Sequence, residues 1–128
     1  MQKKSSGFTL VEIMVVVAII ALLSAVLIPN MVRARTSAND AAAKGTLKTI
    51  STAMETYMSS NGNYPATTTA LLGAAPPYLN KDYFASTQSG FDFTATLTAG
   101  TYVITATPLG TNQGSTTFTI STGGILTP

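Results

Sequence analysis

Hydrophobic and polar positions follow three different regimes along this chain. From Phe8 to Ile28 the run FTLVEIMVVVAIIALLSAVLI is apolar on every face, with Glu12 as its single charge. A helix rises about 1.5 Å per residue, so this run covers roughly 30 Å, the thickness of a bilayer's hydrocarbon core. It predicts a membrane-spanning helix. Further along, Ala43, Leu47, Ile50, Met54 and Tyr57 are spaced four, three, four and three apart. That spacing places them in one stripe of an amphipathic helix, whose ordinary use is to face a core. After Gly90 the period becomes two. Phe91, Phe93, Ala95 and Leu97 alternate with Asp92, Thr94, Thr96 and Thr98; Tyr102, Ile104 and Ala106 alternate with Val103, Thr105 and Thr107; Phe118 and Ile120 alternate with Thr117, Thr119 and Ser121. These are amphipathic strands.

Punctuation between the regimes sets the organisation. Pro29 has no amide hydrogen and its ring disfavours helix at Ile28, so a kink between two helical halves is expected there. Gly45 weakens the second half by about 1 kcal/mol relative to alanine. The turn formers Ser59-Ser60-Asn61-Gly62-Asn63 end it ahead of Tyr64-Pro65. Ala99-Gly100 suits a hairpin turn, and Gly123-Gly124 can turn the chain into a brief fourth strand at Ile125-Leu126. The expected fold is α+β: a long N-terminal helix packed under a small antiparallel sheet of three to four strands. Its segments are a leader at 1–7, a spanning helix at 8–29, an amphipathic helix at 30–62, a connecting region at 63–90 and a sheet head at 91–128. Within the connecting region a short helix is expected around Ala70-Leu71-Leu72. Tyr78, Tyr83 and Phe84 there read as side chains that pin the loop onto the sheet.

Composition narrows the function. The chain has 128 residues, no cysteine, no histidine, and seven basic against five acidic side chains. Lys3 and Lys4 supply the excess, so everything after Gly7 is balanced, which does not suit a nucleic-acid protein. No phosphate-binding glycine loop is present, and after Glu12 the acids stand singly at Asp40, Glu55, Asp82 and Asp92. Asp82 beside Lys81 reads as a solvated loop pair. No catalytic residues, metal site or cofactor are expected.

The basic stretch before Phe8 looks like the start of a secretory signal, but the apolar run is longer than a signal core and no A-x-A site follows it. Lysines before the span and Arg33, Arg35, Lys44 and Lys48 after it leave orientation undecided by charge. Glu12 needs a reason, because an ionised acid inside a spanning helix costs on the order of 2.5 to 3.5 kcal/mol when central and less toward an end. One reason is simple solvation at the headgroup level. The residues around it offer another.

Gly7-Phe8-Thr9-Leu10-Val11-Glu12, two lysines upstream and about twenty apolar residues downstream resemble the N-terminal signal of type IV pilins and type II secretion pseudopilins. Pro29 at the end of the span and Tyr64-Pro65 after the helix fit the same pattern. The resemblance is close over about residues 1–65 and architectural beyond. It implies cleavage between Gly7 and Phe8 by a prepilin peptidase, N-methylation of Phe8, and an assembly role for Glu12. It further implies a single-pass precursor in the bacterial inner membrane, then a homo-oligomeric helical filament built by an assembly ATPase and an inner-membrane platform, either an extracellular pilus or a periplasmic pseudopilus. For Tyr78, Tyr83 and Phe84 it suggests contacts between subunits. The chain departs from many relatives in having no cysteine pair and from major pseudopilins in having no acidic cluster.

In physical terms, cutting before Phe8 creates a positive amine at one end of the span, and a neighbour displaced along the axis can bring its Glu12 beside it. At about 4 Å and an effective dielectric near 20 the attraction is roughly 4 kcal/mol before desolvation is subtracted. Apolar packing would then hold the bundle and Glu12 would set its stagger. The expected function is that of a structural, non-enzymatic subunit of a type IV pilus, with a type II secretion pseudopilin as the alternative. From another class comes a minor pilin that binds DNA or another ligand; for the main reading no nucleic acid is expected.

Overall fold

The computed structural model describes residues 7–128; residues 1–6, with Lys3 and Lys4 of the expected leader, lie outside the described residues. One helix, α1 (Leu10–Asn61), is followed by the single turn α2 (Thr69–Leu72) and four strands: β1 (Phe91–Leu97), β2 (Tyr102–Pro108), β3 (Phe118–Ser121) and β4 (Ile125–Thr127). The strands form one antiparallel sheet in the order β1-β2-β3-β4. This is the α+β architecture that the periodicities predict. Pro29 lies inside α1, which is helical on both sides of it. The proline removes one rung of the hydrogen-bond ladder without ending the helix.

The chain divides into two compact units, Met1–Ala34 and Arg35–Pro128. In the first, every large apolar side chain from Phe8 to Met31 is more than half exposed. Such a surface has no stable place in water and needs lipid or other helices around it.

The second unit has its own core. Ala43, Leu47, Ile50, Ala53 and Met54 of α1 are buried in one cluster with Phe91, Phe93, Tyr102, Ile104, Ala106, Phe118 and Ile120 of the sheet. Register explains the fit: Phe93, Ala106 and Phe118 stand opposite one another on adjacent strands, so a methyl separates two rings. Burying each large side chain contributes about 1.5 to 3 kcal/mol, which offsets the cost of ordering so small a sheet. Tyr57, at the end of the stripe, is only half-buried and packs edge-on against Tyr78 with ring centroids 5.2 Å apart.

The connecting region is tied down by backbone and side chains alike. The Leu71 carbonyl accepts from the amides of Tyr78 at 2.9 Å and Leu79 at 3.0 Å, which carries Leu71 and Leu79 into the core. Tyr78, Tyr83 and Phe84 pack against that core as half-buried side chains, and Tyr78 does so on Tyr57 of α1 and not on the sheet alone. Asp82 Oδ1 accepts from the amides of Phe84 and Ala85, while Lys81 donates to Gln88 at 2.6 Å. The two charges therefore have separate partners and do not form the loop pair expected from their adjacency.

Hairpin turns fall where the glycines stand. Thr98 and Thr101 close the β1–β2 turn through an amide-to-carbonyl bond of 2.9 Å. In the three-residue turn between β3 and β4, Gly123 and Gly124 both take positive φ, +82° and +74°, a conformation that glycine adopts without a Cβ penalty.

Candidate functional site

Gly7 and Phe8 precede the helix, and Phe8 is 84% exposed. An added Cβ at Gly7 meets nothing within 4 Å, so no packing inside the described chain demands glycine there. Helix α1 starts two residues after Phe8, and its start is built by Thr9 and Glu12. Glu12 Oε2 accepts from the Thr9 amide at 2.8 Å and from the Thr9 hydroxyl at 2.7 Å, while the Glu12 amide donates to Thr9 Oγ1 at 3.3 Å. This reciprocal arrangement is a capping box, in which an acid three residues inside the helix and a hydroxyl before it satisfy amides that the helix leaves without partners. The carboxylate also lies at the positive end of the helix dipole. Glu12 thus has a role within its own chain that its pairing with another copy did not require.

The capping signature T-x-x-E is visible in Thr9-Leu10-Val11-Glu12. Reading the glutamate only as an intruder in an apolar run hides it. Both carboxylate bonds use Oε2, so the other oxygen is not engaged by Thr9.

A second acid carries more of the architecture than its isolation in sequence suggests. Glu55 sits on α1 beside the buried stripe. Its Oε1 accepts from the Tyr102 hydroxyl at 3.0 Å and the Gly123 amide at 2.9 Å, and the Tyr64 hydroxyl lies 3.2 and 3.0 Å from its two oxygens. Because the single Tyr102 proton goes to Glu55, the 2.8 Å contact between Ser51 and Tyr102 is read as the serine donating. Helix, loop, β2 and the β3–β4 turn therefore meet at one carboxylate. Burial pushes its pKa up, but the Gly123 amide and the Tyr102 and Tyr64 hydroxyls outweigh that and hold it below the usual carboxylate value. Burial, together with Glu55, pushes Tyr102 up to about 12 and raises Tyr64 as well.

A third cluster joins the helix to the loop between β2 and β3. Asn39 Nδ2 donates to the Gln113 carbonyl at 2.8 Å, and Asp40 accepts from the Ser115 amide at 2.9 Å and its hydroxyl at 2.5 Å. Between them Gly114 is buried, and a Cβ there would collide with the Phe91 ring and Pro108.

Of the residues singled out from sequence, Gly7, Phe8 and Glu12 lie together at the start of α1 and Pro29 lies about 17 residues further along the same helix. Glu12 and Pro29 share that helix, and Gly7 and Phe8 stand just ahead of it. Among the described residues no group of three or more His, Cys, Asp or Glu side chains gathers as metal ligands. The grooves on the second unit are open, and one of them, about 690 Å³, runs between Thr49, Thr52 and Thr56 of α1 and Ala75, Pro76 and Pro77 of the loop. Neither that groove nor the hydroxyls beside it offer a nucleophile with a base.

Comparison with known proteins is informative over both units. A family model described as the prokaryotic N-terminal methylation motif matches residues 2–28. Another, described as type IV minor pilin ComP, DNA uptake sequence receptor, matches residues 29–120. The type IV wide pilus major component PilA4 of Thermus thermophilus is 33% identical over 110 residues, covering 83% of this chain and 84% of its own. The type II secretion system core protein G of Pseudomonas aeruginosa is 41% identical over 66 residues, 52% of this chain and 46% of its own. The type IV major pilin PilA of Myxococcus xanthus is 39% identical over 61 residues, 48% of this chain and 28% of its own.

Proposed function

The chain belongs to the family of type IV pilins and type II secretion pseudopilins, structural proteins without enzymatic activity, and on that premise we propose that it is a subunit of a type IV pilus filament. The observation that carries the choice of pilus is the likeness to the Thermus wide-pilus major component, which runs through the head as well as the helix, 83% of this chain and 84% of the relative. Matches to the type II secretion core protein G cover about half of each chain.

In this reading the apolar half of α1 anchors the precursor in the inner membrane. A prepilin peptidase cuts between Gly7 and Phe8, and Phe8 becomes the methylated terminus. Thr9 and Glu12 survive the cut with their capping bonds in place. The cap holds the carboxylate at the helix start, with one oxygen toward the amine of a neighbouring copy, and that pair sets the stagger of helices whose aliphatic surfaces give little directional preference. Pro29 adjusts the helix direction between its two halves. Energy for extraction comes from an assembly ATPase acting through a membrane platform. The test uses two variants. Gly7→Leu should accumulate a precursor seven residues longer by mass analysis, and normal processing would defeat the leader reading. Glu12→Ala should leave membrane-embedded protein at normal abundance and no filaments.

A second reading is favoured by the minor-pilin family model over residues 29–120, whose description is that of a DNA uptake sequence receptor. The head is poorly charged for it: Arg35, Lys44, Lys48 and Lys81 are matched by Asp40, Glu55, Asp82 and Asp92, and residues 93–128 carry no charge at all. Affinity for the DNA backbone scales with the phosphates neutralised, so weak, salt-sensitive binding is expected. Salt-resistant binding of duplex DNA by the full chain in detergent would favour this second role.

A further inference from the structure

Two arginines just beyond the apolar run have no place in the assembly scheme above. We propose that Arg33 and Arg35 bind phosphate groups of anionic phospholipids in the leaflet opposite the leader and so hold the subunit at a fixed depth before assembly. The inference rests on the membrane-anchored precursor.

Arg33 and Arg35 are the sole basic residues between Lys4 and Lys44, and both are exposed. Of the cations further along, Lys44 lies 4.7 Å from the centre of the Phe118 ring and Lys81 donates to Gln88. The α1 helix is unbroken through this stretch, so helical geometry sets the arginine depth. Arg33 lies five residues past Ile28, about 7.5 Å along the axis, and Arg35 follows two residues later in the sequence. The headgroup layer adds roughly 5 to 7 Å to each side of the hydrocarbon core.

Side chains on a helix lean toward its N-terminus, which here means back toward the bilayer. A long arginine arm thus returns its guanidinium to phosphate depth, where its planar fork donates to two phosphate oxygens. Once the leader is cut, Lys3 and Lys4 are gone, and these arginines become the basic side chains left beside the bilayer.

The experiment is native mass spectrometry of the full chain released from nanodiscs of equimolar phosphatidylcholine and phosphatidylglycerol. The wild type should retain phosphatidylglycerol preferentially, Arg33→Gln and Arg35→Gln should each lower that preference about fivefold, and Lys48→Gln should leave it unchanged. Added inorganic phosphate should not displace the lipid. Equal retention by wild type and the Arg33→Gln/Arg35→Gln double variant overturns the proposal, as does an equal loss in Lys48→Gln or displacement by free phosphate. Failure of the membrane reading shows itself separately, as wild-type chain washed from membranes by alkaline carbonate.

Discussion

The Tyr102 hydroxyl donates a 3.0 Å hydrogen bond to Glu55, joining the first residue of β2 to the late turns of α1 across 47 positions of sequence. Since the same carboxylate also receives Tyr64 and the Gly123 amide, it fastens three separate segments to the helix. Replacing it by alanine leaves two hydroxyls and an amide without their acceptor, and hydrogen bonds to a charged group contribute about 1.5 to 3 kcal/mol each. Glu55→Ala is expected to destabilise by about 2 to 4 kcal/mol in urea unfolding, and Tyr102→Phe by about 1 kcal/mol. The double variant should lose less than the sum, because the partners share one interaction.

Stability should depend on pH through the same network. Glu55 has a folded pKa below its unfolded one, so its contribution is complete above the unfolded value, near 4.5, and is lost as pH falls through the depressed folded value. Tyr102 is raised to about 12 from 10, so its contribution is complete below pH 10 and is lost as pH rises toward 12. Thermal unfolding should show a plateau between these limits. In Tyr102→Phe the alkaline fall should be reduced, and in Glu55→Gln the acid fall should be reduced; unchanged profiles would remove the network as their cause.

Asp40 makes a more local prediction. Its bonds to Ser115 hold the loop between β2 and β3 against α1, so Asp40→Ala should speed hydrogen exchange at the Ser115 amide while leaving the β1–β2 pairing protected. Gly114→Ala strikes the same loop by crowding, since the new methyl meets the Phe91 ring and Pro108. Overpacking of this kind costs about 1 to 3 kcal/mol, readable as a lowered urea midpoint.

Period made the elements legible and distance hid the contacts. Ala43, Leu47, Ile50 and Met54 repeat on a helical spacing, and all four are buried. The alternation in Phe91-Asp92-Phe93 and Tyr102-Val103-Ile104 likewise separates inward from outward faces. Glu55 and Asp40 follow no period: their partners lie between 9 and 75 residues away and are brought near by the sheet's register. A signal existed in the tyrosines, because Tyr64 and Tyr102 stand at apolar positions and a buried hydroxyl requires an acceptor. The adjacency of Lys81 and Asp82 misled for the opposite reason, since neighbours in sequence on a loop point to different partners.

Thr9 and Glu12 permit a test that separates the two roles of one acid. Thr9→Val removes the hydroxyl that donates to Glu12 and accepts from its amide, but leaves the carboxylate. Losing an N-terminal cap costs about 1 kcal/mol, so the first turn of α1 should fray, seen as faster amide exchange at Leu10 to Glu12 in micelles. Filaments should still form, at reduced yield, because the charge that meets the neighbouring amine is intact. Glu12→Gln retains a side chain able to cap and removes the charge, so it should keep the helix start ordered and lose assembly. Were Thr9→Val to abolish filaments as completely as Glu12→Gln, the cap itself would be the assembly determinant, and the charge pairing between copies would have to be abandoned.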